Sequence, residues 1–509
     1  MLKIRKKKDG QQVFYEEKPE LKGIDLIAQN IKNQIGDSSD IVFRELYVNG
    51  NEKLPVTFIF VDGLINDKNM DDDILKPLLQ ERVLSCDKDE TEVINYITKG
   101  GLYHNSAKIR DKIDETIEDI LNGYCALIFD KERKAVTFSI RGYEKRAISE
   151  PTGENVIKGA KDSFIEELRV NTSRVRRKIK TQNLKIRQTK IGQQTLTDVA
   201  VLWIEGIAND NIVQEVFKRL EKINHDGVVL AGSIEDYIID NRWNPYPQVY
   251  YTERPDRFCK GILDGRVGII IDGLPVTYIV PAEFNMFLKA PEDYSNNYLI
   301  ASLVRLMRFA AFFFTLMLPA FYISVTTFHH EMIPTDLVVS IVKSKEGVPF
   351  PTFIEVLGML FAFELLIEAG LRLPKTIGQA VSIIGAVVVG QAAVSAKIIS
   401  PGVVIIVALA GIAGFTMPNQ DFSNAVRIWR FIIVISASFA GLFSLVIGLI
   451  VMGYQLVKQE SYGVPYFSPF TSNEGREIMQ DTLFRFPFSF MKKRPSSLKT
   501  KNKLRQKGD

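Results

Sequence analysis

The pattern of hydrophobic and polar positions changes near Pro291. Upstream of this residue, short apolar runs typical of β-strands alternate with more polar segments that carry helix patterns. Downstream, long apolar stretches contain few charges, and a helix needs about 20 apolar residues to cross the hydrocarbon core of a bilayer. The sequence therefore predicts a soluble α/β N-terminal portion followed by an α-helical transmembrane bundle.

Five apolar segments are candidate membrane helices. Residues 309–328 and 431–457 contain no charged residue. Residues 376–426 contain only two, Lys397 and Asp421, and the sequence Ser400-Pro401-Gly402 divides this stretch into a predicted hairpin of two helices. The remaining segment, 352–373, is the most polar, because it contains Glu355, Glu364 and Glu368.

Basic residues near span ends indicate orientation, because positively charged loops tend to stay in the cytoplasm. Arg305 and Arg308 precede the first span and Arg372 follows the second, which places the N-terminal portion in the cytoplasm. The C-terminal tail is also basic, whereas five crossings would place the two ends on opposite sides. We expect one segment to be re-entrant and the tail to be cytoplasmic and poorly ordered. The alternative is a translocated tail.

The N-terminal portion contains two pairs of similar motifs. FVDGLIND at 60–67 matches WIEGIAND at 203–210, and ILNGYCALIFD at 120–130 matches ILDGRVGIIID at 262–272. This repetition predicts two similar α/β subdomains. The predicted order begins with a polar lead (1–40), a first α/β subdomain (41–150) and a basic connecting segment (151–197). A second α/β subdomain (198–290), a transmembrane domain (291–460) and a basic tail (461–509) follow.

The connecting segment contains a run without acidic residues, 168–197, which includes Arg174, Arg176, Arg177 and Lys178. Such a run is typical of a solvated or intersubunit face, and it can also bind phosphate or acidic lipid headgroups. Nucleic acid is not an expected partner, because no aromatic residues are interleaved with these charges. Both interpretations remain open at this stage.

The sequence lacks the motifs of common enzymes, including GxxxxGK[ST], GxGxxG, GxSxG and HExxH. Cys86, Cys125 and Cys259 lie far apart, and the adjacent His329 and His330 point to different faces of any helix. We therefore expect reduced core cysteines, no metal, no cofactor and no catalytic activity.

Polar residues inside the apolar half are candidate site residues. Glu364, Glu368 and Arg372 are spaced by four and form one stripe on a helix. Glu368 and Arg372 can form an ion pair at the helix end, and in an oligomer the carboxylates can form a ring around a cation path. Gln391 is suited either to an interhelical hydrogen bond or to a pore surface.

Small residues recur every four positions in the predicted last span. They are Ala437, Ala440, Gly441, Ser444 and Gly448. Small side chains let helix backbones approach closely in a membrane. The pattern therefore predicts close helix packing.

Long motifs then point to a family. The membrane half contains PAFYISVTTFHHEMIPT, EAGLRLPKTIGQAVSIIGAVVVGQAAV and SYGVPYFSP, and the soluble half contains EELRVNTSRVRRKIKTQNLKI and LDGRVGIIIDGLPVTYIVPAEF. These segments resemble the A subunits of spore germinant receptors. One departure from the family pattern is Leu365-Leu366-Ile367-Glu368, where an arginine often precedes the glutamate; the loss of that charge makes the surroundings of Glu368 more acidic in this chain.

The resemblance implies a receptor subunit in the inner membrane of dormant spores, which adds a location to the multi-pass arrangement and the cytoplasmic N-terminal portion predicted above. It implies assembly into a homo-oligomer with a transporter-like B subunit and a lipoprotein C subunit, and cation release when nutrient binds. Two alternatives stay open: a non-conducting scaffold for the B and C subunits, and an amplifying channel of the related stage V sporulation type.

Overall fold

The computed structural model describes residues 24–80, 89–102, 106–142, 151, 153–154, 156–227, 230–372, 390–471 and 475–505. Residues 1–23 of the predicted lead, Cys86, and the first part of the helix predicted from residue 376 lie outside the described residues. The described cysteines Cys125 and Cys259 are buried and free.

The first lobe, residues 24–142, contains a five-stranded sheet with the order β1-β2-β4-β5-β3 and antiparallel neighbours. Short helices lie before and between its strands. The strands are β1 Ile41–Tyr47, β2 Pro55–Val61, β3 Ala107–Arg110, β4 Cys125–Phe129 and β5 Lys134–Phe138. The helices are α1 Ala28–Ile35, α2 Asp67–Met70, α3 Lys76–Gln80, α4 Glu90–Tyr96 and α5 Ile113–Leu121.

The second lobe, residues 156–290, contains a second five-stranded sheet with the order β6-β7-β9-β10-β8, again antiparallel. Its strands are β6 Leu184–Ile191, β7 Thr197–Ile204, β8 Tyr250–Thr252, β9 Val267–Ile271 and β10 Thr277–Val280. Its helices are α6 Leu168–Lys178, α7 Asp210–Glu221, α8 Ala231–Ile238, α9 Pro255–Leu263 and α10 Phe284–Phe287.

The two sheets share one connectivity, since in each the strands are ordered first, second, fourth, fifth and third. The repeated motifs occupy equivalent places. Gly63 and Gly206 follow the second strand of their sheets and both have φ 78°, and Gly123 and Gly265 precede the fourth strand with φ 84° and 100°. Only glycine adopts such angles routinely, which explains why these motifs repeat at the glycine positions.

The predicted start of the second subdomain at residue 198 is wrong. Strand β6 lies inside the segment interpreted as a connection and pairs with β7 along its whole length. Leu184, Ile186 and Ile191 of this strand are buried, while Arg187 and Gln188 are exposed. The basic residues of a half-buried edge strand therefore looked like a solvated linker.

Helices dominate the apolar half. After the short α11 Glu292–Ser295, the chain forms α12 Tyr298–Thr327, α13 Thr335–Lys345, α14 Thr352–Arg372, a helical stretch at 390–395, α15 Pro401–Phe415, α16 Gln420–Ala440 and α17 Leu442–Lys458. Among the described residues, α12 and α16 are long and apolar enough to cross a membrane, and α15 and α17 are shorter apolar helices.

The predicted spans after residue 400 have the wrong boundaries. The predicted span that starts at Pro401 ends at Phe415 and does not continue to residue 426. Helix α16 begins at Gln420, and the side chain of Asn419 before it accepts a hydrogen bond from the backbone amide of Phe422. The predicted single helix 431–457 is broken at Gly441, which has φ 59° and ψ −134°. A side chain at Gly441 would lie 2.9 Å from Cβ of Phe328, so a glycine is required at this turn.

The break at Gly441 adds a second pass through the helical bundle, so the chain returns to the second lobe after α17. Phe422, in the first turn of α16, packs against Phe284 and Phe287 of the second lobe. At the opposite end of the bundle, Gly441 lies against Phe328, which follows α12. Helix α17 then runs back to the second lobe, where Gln459 accepts a hydrogen bond from Asn244.

The prediction of a poorly ordered tail is also wrong. After β11 Glu460–Ser461, β12 Val464–Pro465 and α18 Gly475–Ile478, the chain packs along the second lobe. Its basic residues form ion pairs there, with Lys501 Nζ 2.6 Å from Asp210 and Arg505 Nη2 2.6 Å from Asp264. The tail has few apolar residues, but Leu498 is fully buried in the lobe's core.

Candidate functional site

Glu364 faces the interior of the helical bundle. Its Oε1 is 2.5 Å from Arg430 and its Oε2 is 3.4 Å from Arg427, both on α16. Arg430 is almost fully buried. The ion pair thus joins the middle of α14 to α16, and it gives both charges a partner inside an apolar bundle.

Glu368 lies one turn further along α14 and has a different environment. Its carboxylate is 2.6 Å from Arg372, and the two side chains are 59% and 79% exposed. The predicted pair at the helix end is therefore present, and it lies on the outer surface of the single chain. The sequence predicted one shared role for Glu364 and Glu368, but their environments differ. Glu364 pairs with α16 in the interior, whereas Glu368 faces outward.

Gln391 is exposed at the start of the described helical stretch 390–395. Within one chain Gln391 does not face the bundle interior, so its exposure does not fit the interhelical hydrogen bond and leaves the pore surface as the other predicted role. Like Glu368, it lies on a surface that a second copy could cover.

The small residues predicted to pack along one helix instead lie on both sides of the break at Gly441. Ala437 on α16 and Gly448 on α17 are buried, whereas Ala440 is exposed. A side chain at Gly448 would lie 3.4 Å from Ile433 of α16, and Ser436 Oγ donates to the Ser444 carbonyl at 2.9 Å. Close packing is present, between two antiparallel helices of one chain.

A second buried carboxylate occurs in the first turn of α14. Glu355 is 2% exposed and accepts a hydrogen bond from the Ser400 backbone at 2.7 Å. Lys345 Nζ lies 4.0 Å from its other oxygen. This residue holds the loop before α15 against α14, at the bundle end remote from the sheets.

A buried charge network lies where the second lobe, α12 and the tail meet. We call it the junction cluster; it consists of Lys289, Asp293, Arg305, Arg308 and Asp481. Arg305 contacts Asp293 at 3.0 Å and Asp481 at 3.1 Å, Arg308 contacts Asp293 at 3.0 Å, and Lys289 contacts Asp481 at 3.2 Å. Arg305 and Asp293 are 1% and 2% exposed, so these charges depend on one another.

The surroundings of the cluster shift the ionisation of groups near it. Burial alone would raise the pKa of Asp293, but hydrogen bonds and charges from Arg308 and Arg305 hold it below its usual range. Lys260 on α9 lies beside Asp481, and burial lowers the pKa of its ammonium to about 7 despite the attraction of Asp481 and Asp264.

Sequence reasoning did not find this cluster. It used Arg305 and Arg308 only as basic residues before the first span that indicate orientation, whereas both are buried in this cluster. Asp293 was a local sign that the two arginines have an acidic partner, because it lies shortly before them in the sequence. The other partner, Asp481, is 176 residues from Arg305 along the chain, and no pattern in the sequence connects them.

The basic run also has a structural position. Arg176 on α6 is fully buried and contacts Asp40 Oδ2 at 2.9 Å and Ser38 Oγ at 2.9 Å, both in the first lobe. Arg176 is therefore neither a solvated residue nor a lipid ligand. Lys178 pairs with Asp162 at 3.2 Å, Arg174 is partly buried and Arg177 is exposed.

No group of three or more His, Cys, Asp or Glu residues among those described is arranged to hold a metal ion. The described part of the chain is thus two connected α/β sheet lobes attached to apolar helices that contain paired charges. This architecture defines the class as a protein with a sheet-containing N-terminal portion and a C-terminal helical region suited to a membrane.

The family model for the Bacillus/Clostridium GerA spore germination protein matches residues 29–497. The chain therefore belongs to this family. It is 38% identical over 486 residues to Spore germination protein KA of Bacillus subtilis (strain 168), which covers 95% of this chain and 88% of the relative.

Two further similarities were found, one to a protein sequence and one to a solved structure. Uncharacterized membrane protein YfkQ of Bacillus subtilis (strain 168) is 38% identical over 460 residues, covering 90% of this chain and 88% of the relative. The crystal structure of the N-terminal domain of the A subunit of the Bacillus megaterium spore germinant receptor GerK3 is 30% identical. It covers 50% of this chain and 93% of that chain, with a TM-score of 0.39.

Proposed function

We propose that the protein is the A-type membrane subunit of a nutrient-responsive spore germination receptor, and that several copies surround a cation path in the inner spore membrane. The family match over residues 29–497 supports the role in germination. The single observation that supports the path is the outward-facing charge of Glu368 on α14, a mostly apolar helix whose other glutamates, Glu355 and Glu364, have partners inside the chain.

The proposed membrane arrangement has six crossings. Five of them are α12, α14, α15, α16 and α17, and the sixth is the span predicted from residue 376, of which the structure describes the helical stretch 390–395. The tail then packs on the second lobe, so both soluble parts lie on one side. Because both parts are basic near the membrane, we place this side in the cytoplasm. Six crossings remove the conflict that five would create.

The oligomer follows from the cost of polar groups in lipid. A charged side chain facing hydrocarbon costs at least about 2.5–3.5 kcal/mol on insertion scales. Glu368, Arg372 and Gln391 are exposed in the single chain, and a neighbouring copy or a water-filled path would remove this cost. Rings of carboxylates in such a path favour cations over anions.

The B and C subunits implied by the resemblance are the proposed partners. A competing proposal is a non-conducting scaffold for them. It is favoured by the interior pairing of Glu364 with Arg430, which removes one of the two candidate carboxylates from any path around the chain.

The test uses spores carrying Glu368→Gln. We expect nutrient-triggered cation release to become slower or less selective while receptor levels stay normal. The double variant Glu368→Gln/Arg372→Gln separates loss of the carboxylate from an unpaired arginine. The matched control is Glu346→Gln, an exposed carboxylate in the loop before α14. Normal cation release in both Glu368 variants would favour the scaffold.

A further inference from the structure

Trp243 is displayed on the surface of the second lobe. Its side chain is 95% exposed, although tryptophan is among the most costly side chains to leave in water. The chain contains three tryptophans; the other two are Trp429, which is buried in α16, and Trp203, which packs edge-on against Phe217 of α7. The exposure of Trp243 is therefore unlike that of the others.

The loop that carries Trp243 is held firmly. The backbone amides of Asp240 and Asn241 both donate to the side chain of Gln248 at 2.9 Å. The amide of Trp243 donates to the Asn241 side chain at 3.0 Å, and Asp240 is 2.5 Å from Arg219. Because these hydrogen bonds hold the loop backbone in place, they also hold Trp243 in its exposed position.

The residues that follow Trp243 contact the ends of the apolar helices. Asn244 donates a hydrogen bond to Gln459, which immediately follows α17. Tyr246 packs against Phe422 in the first turn of α16, with ring centroids 5.9 Å apart. Trp243 therefore lies beside the position where two apolar helices meet the second lobe, which is the level at which the bilayer surface must lie if these helices enter it.

The neighbouring side chains suit the same surface. Arg242 is exposed and is positioned by a hydrogen bond to the Asp236 carbonyl at 2.7 Å and by the ring of Tyr237, 5.5 Å from its guanidinium. Tyr454, near the end of α17, is 64% exposed with Lys458 beside it. Tryptophan and tyrosine with adjacent basic residues are enriched where protein meets lipid headgroups.

We infer that the 240–246 loop is a lipid anchor, in which Trp243 enters the headgroup layer and Arg242 binds lipid phosphate. The occupant is the bilayer of the same membrane, because the loop is continuous with the helices proposed to enter it. The anchor would fix the height and tilt of the second lobe over the membrane, independently of whether the assembled protein conducts ions.

The test uses the full chain, reconstituted alone into phosphatidylcholine vesicles whose acyl chains carry bromine either near the headgroup or near the bilayer centre. Trp203→Phe/Trp429→Phe leaves Trp243 as the only tryptophan, which is excited selectively at wavelengths that tyrosine does not absorb. We expect blue-shifted Trp243 emission that is quenched more by shallow than by deep bromine. A Trp243→Phe/Trp429→Phe chain, which reports from Trp203 in the sheet, should not be quenched.

A positive control separates failure of this inference from failure of membrane insertion. Ile450→Trp, introduced into a chain lacking all three native tryptophans, places the probe on the exposed face of α17 and should be quenched by deep bromine. Quenching of this control with water-like, unquenched emission from Trp243 would overturn the anchor. Burial of Trp243 only after a partner subunit is added would also overturn it, in favour of a protein contact.

Discussion

The two lobes have the same strand order but are attached to the rest of the chain differently. One core of the second lobe continues into the helices, with Phe284 and Phe287 in one apolar cluster with Phe312, Phe422 and many others, and the other core of this lobe is a separate cluster. The cores of the first lobe form separate clusters. The two lobes therefore share a fold but differ in attachment. The second lobe forms a single body with the helical region, and the first lobe is held by its contacts with the second.

The contacts that hold the first lobe are mostly polar and centre on α6. Arg176 reaches Asp40, and Arg169 lies 2.7 Å from Asp62 and 2.8 Å from Asp67. The backbone of Ser39 also donates to the Ile186 carbonyl at 2.7 Å. Polar contacts are easier to exchange than a continuous apolar core, so relative motion is expected between the lobes before it occurs between the second lobe and the helices.

The largest expected effect is at the junction cluster. Arg305→Ala leaves Asp293 and Asp481 with one cation fewer, and removal of one partner from a buried network costs about 3–5 kcal/mol. We expect this loss in the free energy of unfolding of the purified protein in detergent. Lys343→Ala, an exposed cation on α13, is the control and should change it little. Equal stability of both variants would contradict the single-body description.

Arg176→Ala tests the attachment of the first lobe. It leaves the buried Asp40 carboxylate unpaired, which costs about 3 kcal/mol. Because the first lobe has its own cores, we expect the thermal unfolding of Arg176→Ala to show two steps, in which the two lobes unfold separately. Lys180→Ala, on an exposed position of the same segment, should leave one step. A single transition in Arg176→Ala would show that the lobes are more tightly joined than described.

The junction should also respond to pH through Lys260. Its folded pKa of about 7 lies below the usual value of 10.5, so the unfolded chain binds more protons between these values. Burial of the charged Lys260 ammonium destabilises the folded state fully below about pH 7, and this effect is relieved as pH rises. The free energy of unfolding should therefore increase with pH from 7 towards 10. Thermal unfolding of Lys260→Met should lack this increase, and an identical pH profile in both proteins would refute the assignment.

The smallest effect is expected for Arg169→Ala. Its ion pairs with Asp62 and Asp67 link the lobes at a surface where the side chains are 40–52% exposed. Exposed pairs contribute about 0–1 kcal/mol and are screened by salt. The stability difference from the wild type should shrink at high salt in urea titrations. A loss as large as that of Arg176→Ala would mean that α6 acts as one cooperative unit.

Periodicity and repetition predicted much of this organisation. The charge-free stretch 309–328 lies almost entirely within α12, and the repeated glycine turns lie at equivalent places in the two sheets. The break at Gly441 was not predicted, because glycine is common in membrane helices and the flanking residues are uniformly apolar. The pairing of Glu364 with Arg430 depends on how α14 packs on α16, which single-helix periodicity does not encode.

The central claim is that copies of this chain surround a cation path. Its most direct test is cation flux through vesicles containing the purified receptor complex, measured with and without nutrient. We predict nutrient-dependent flux of monovalent cations that Glu368→Gln reduces and Glu346→Gln does not. A complex that binds its partner subunits and nutrient but passes no cations would contradict the claim.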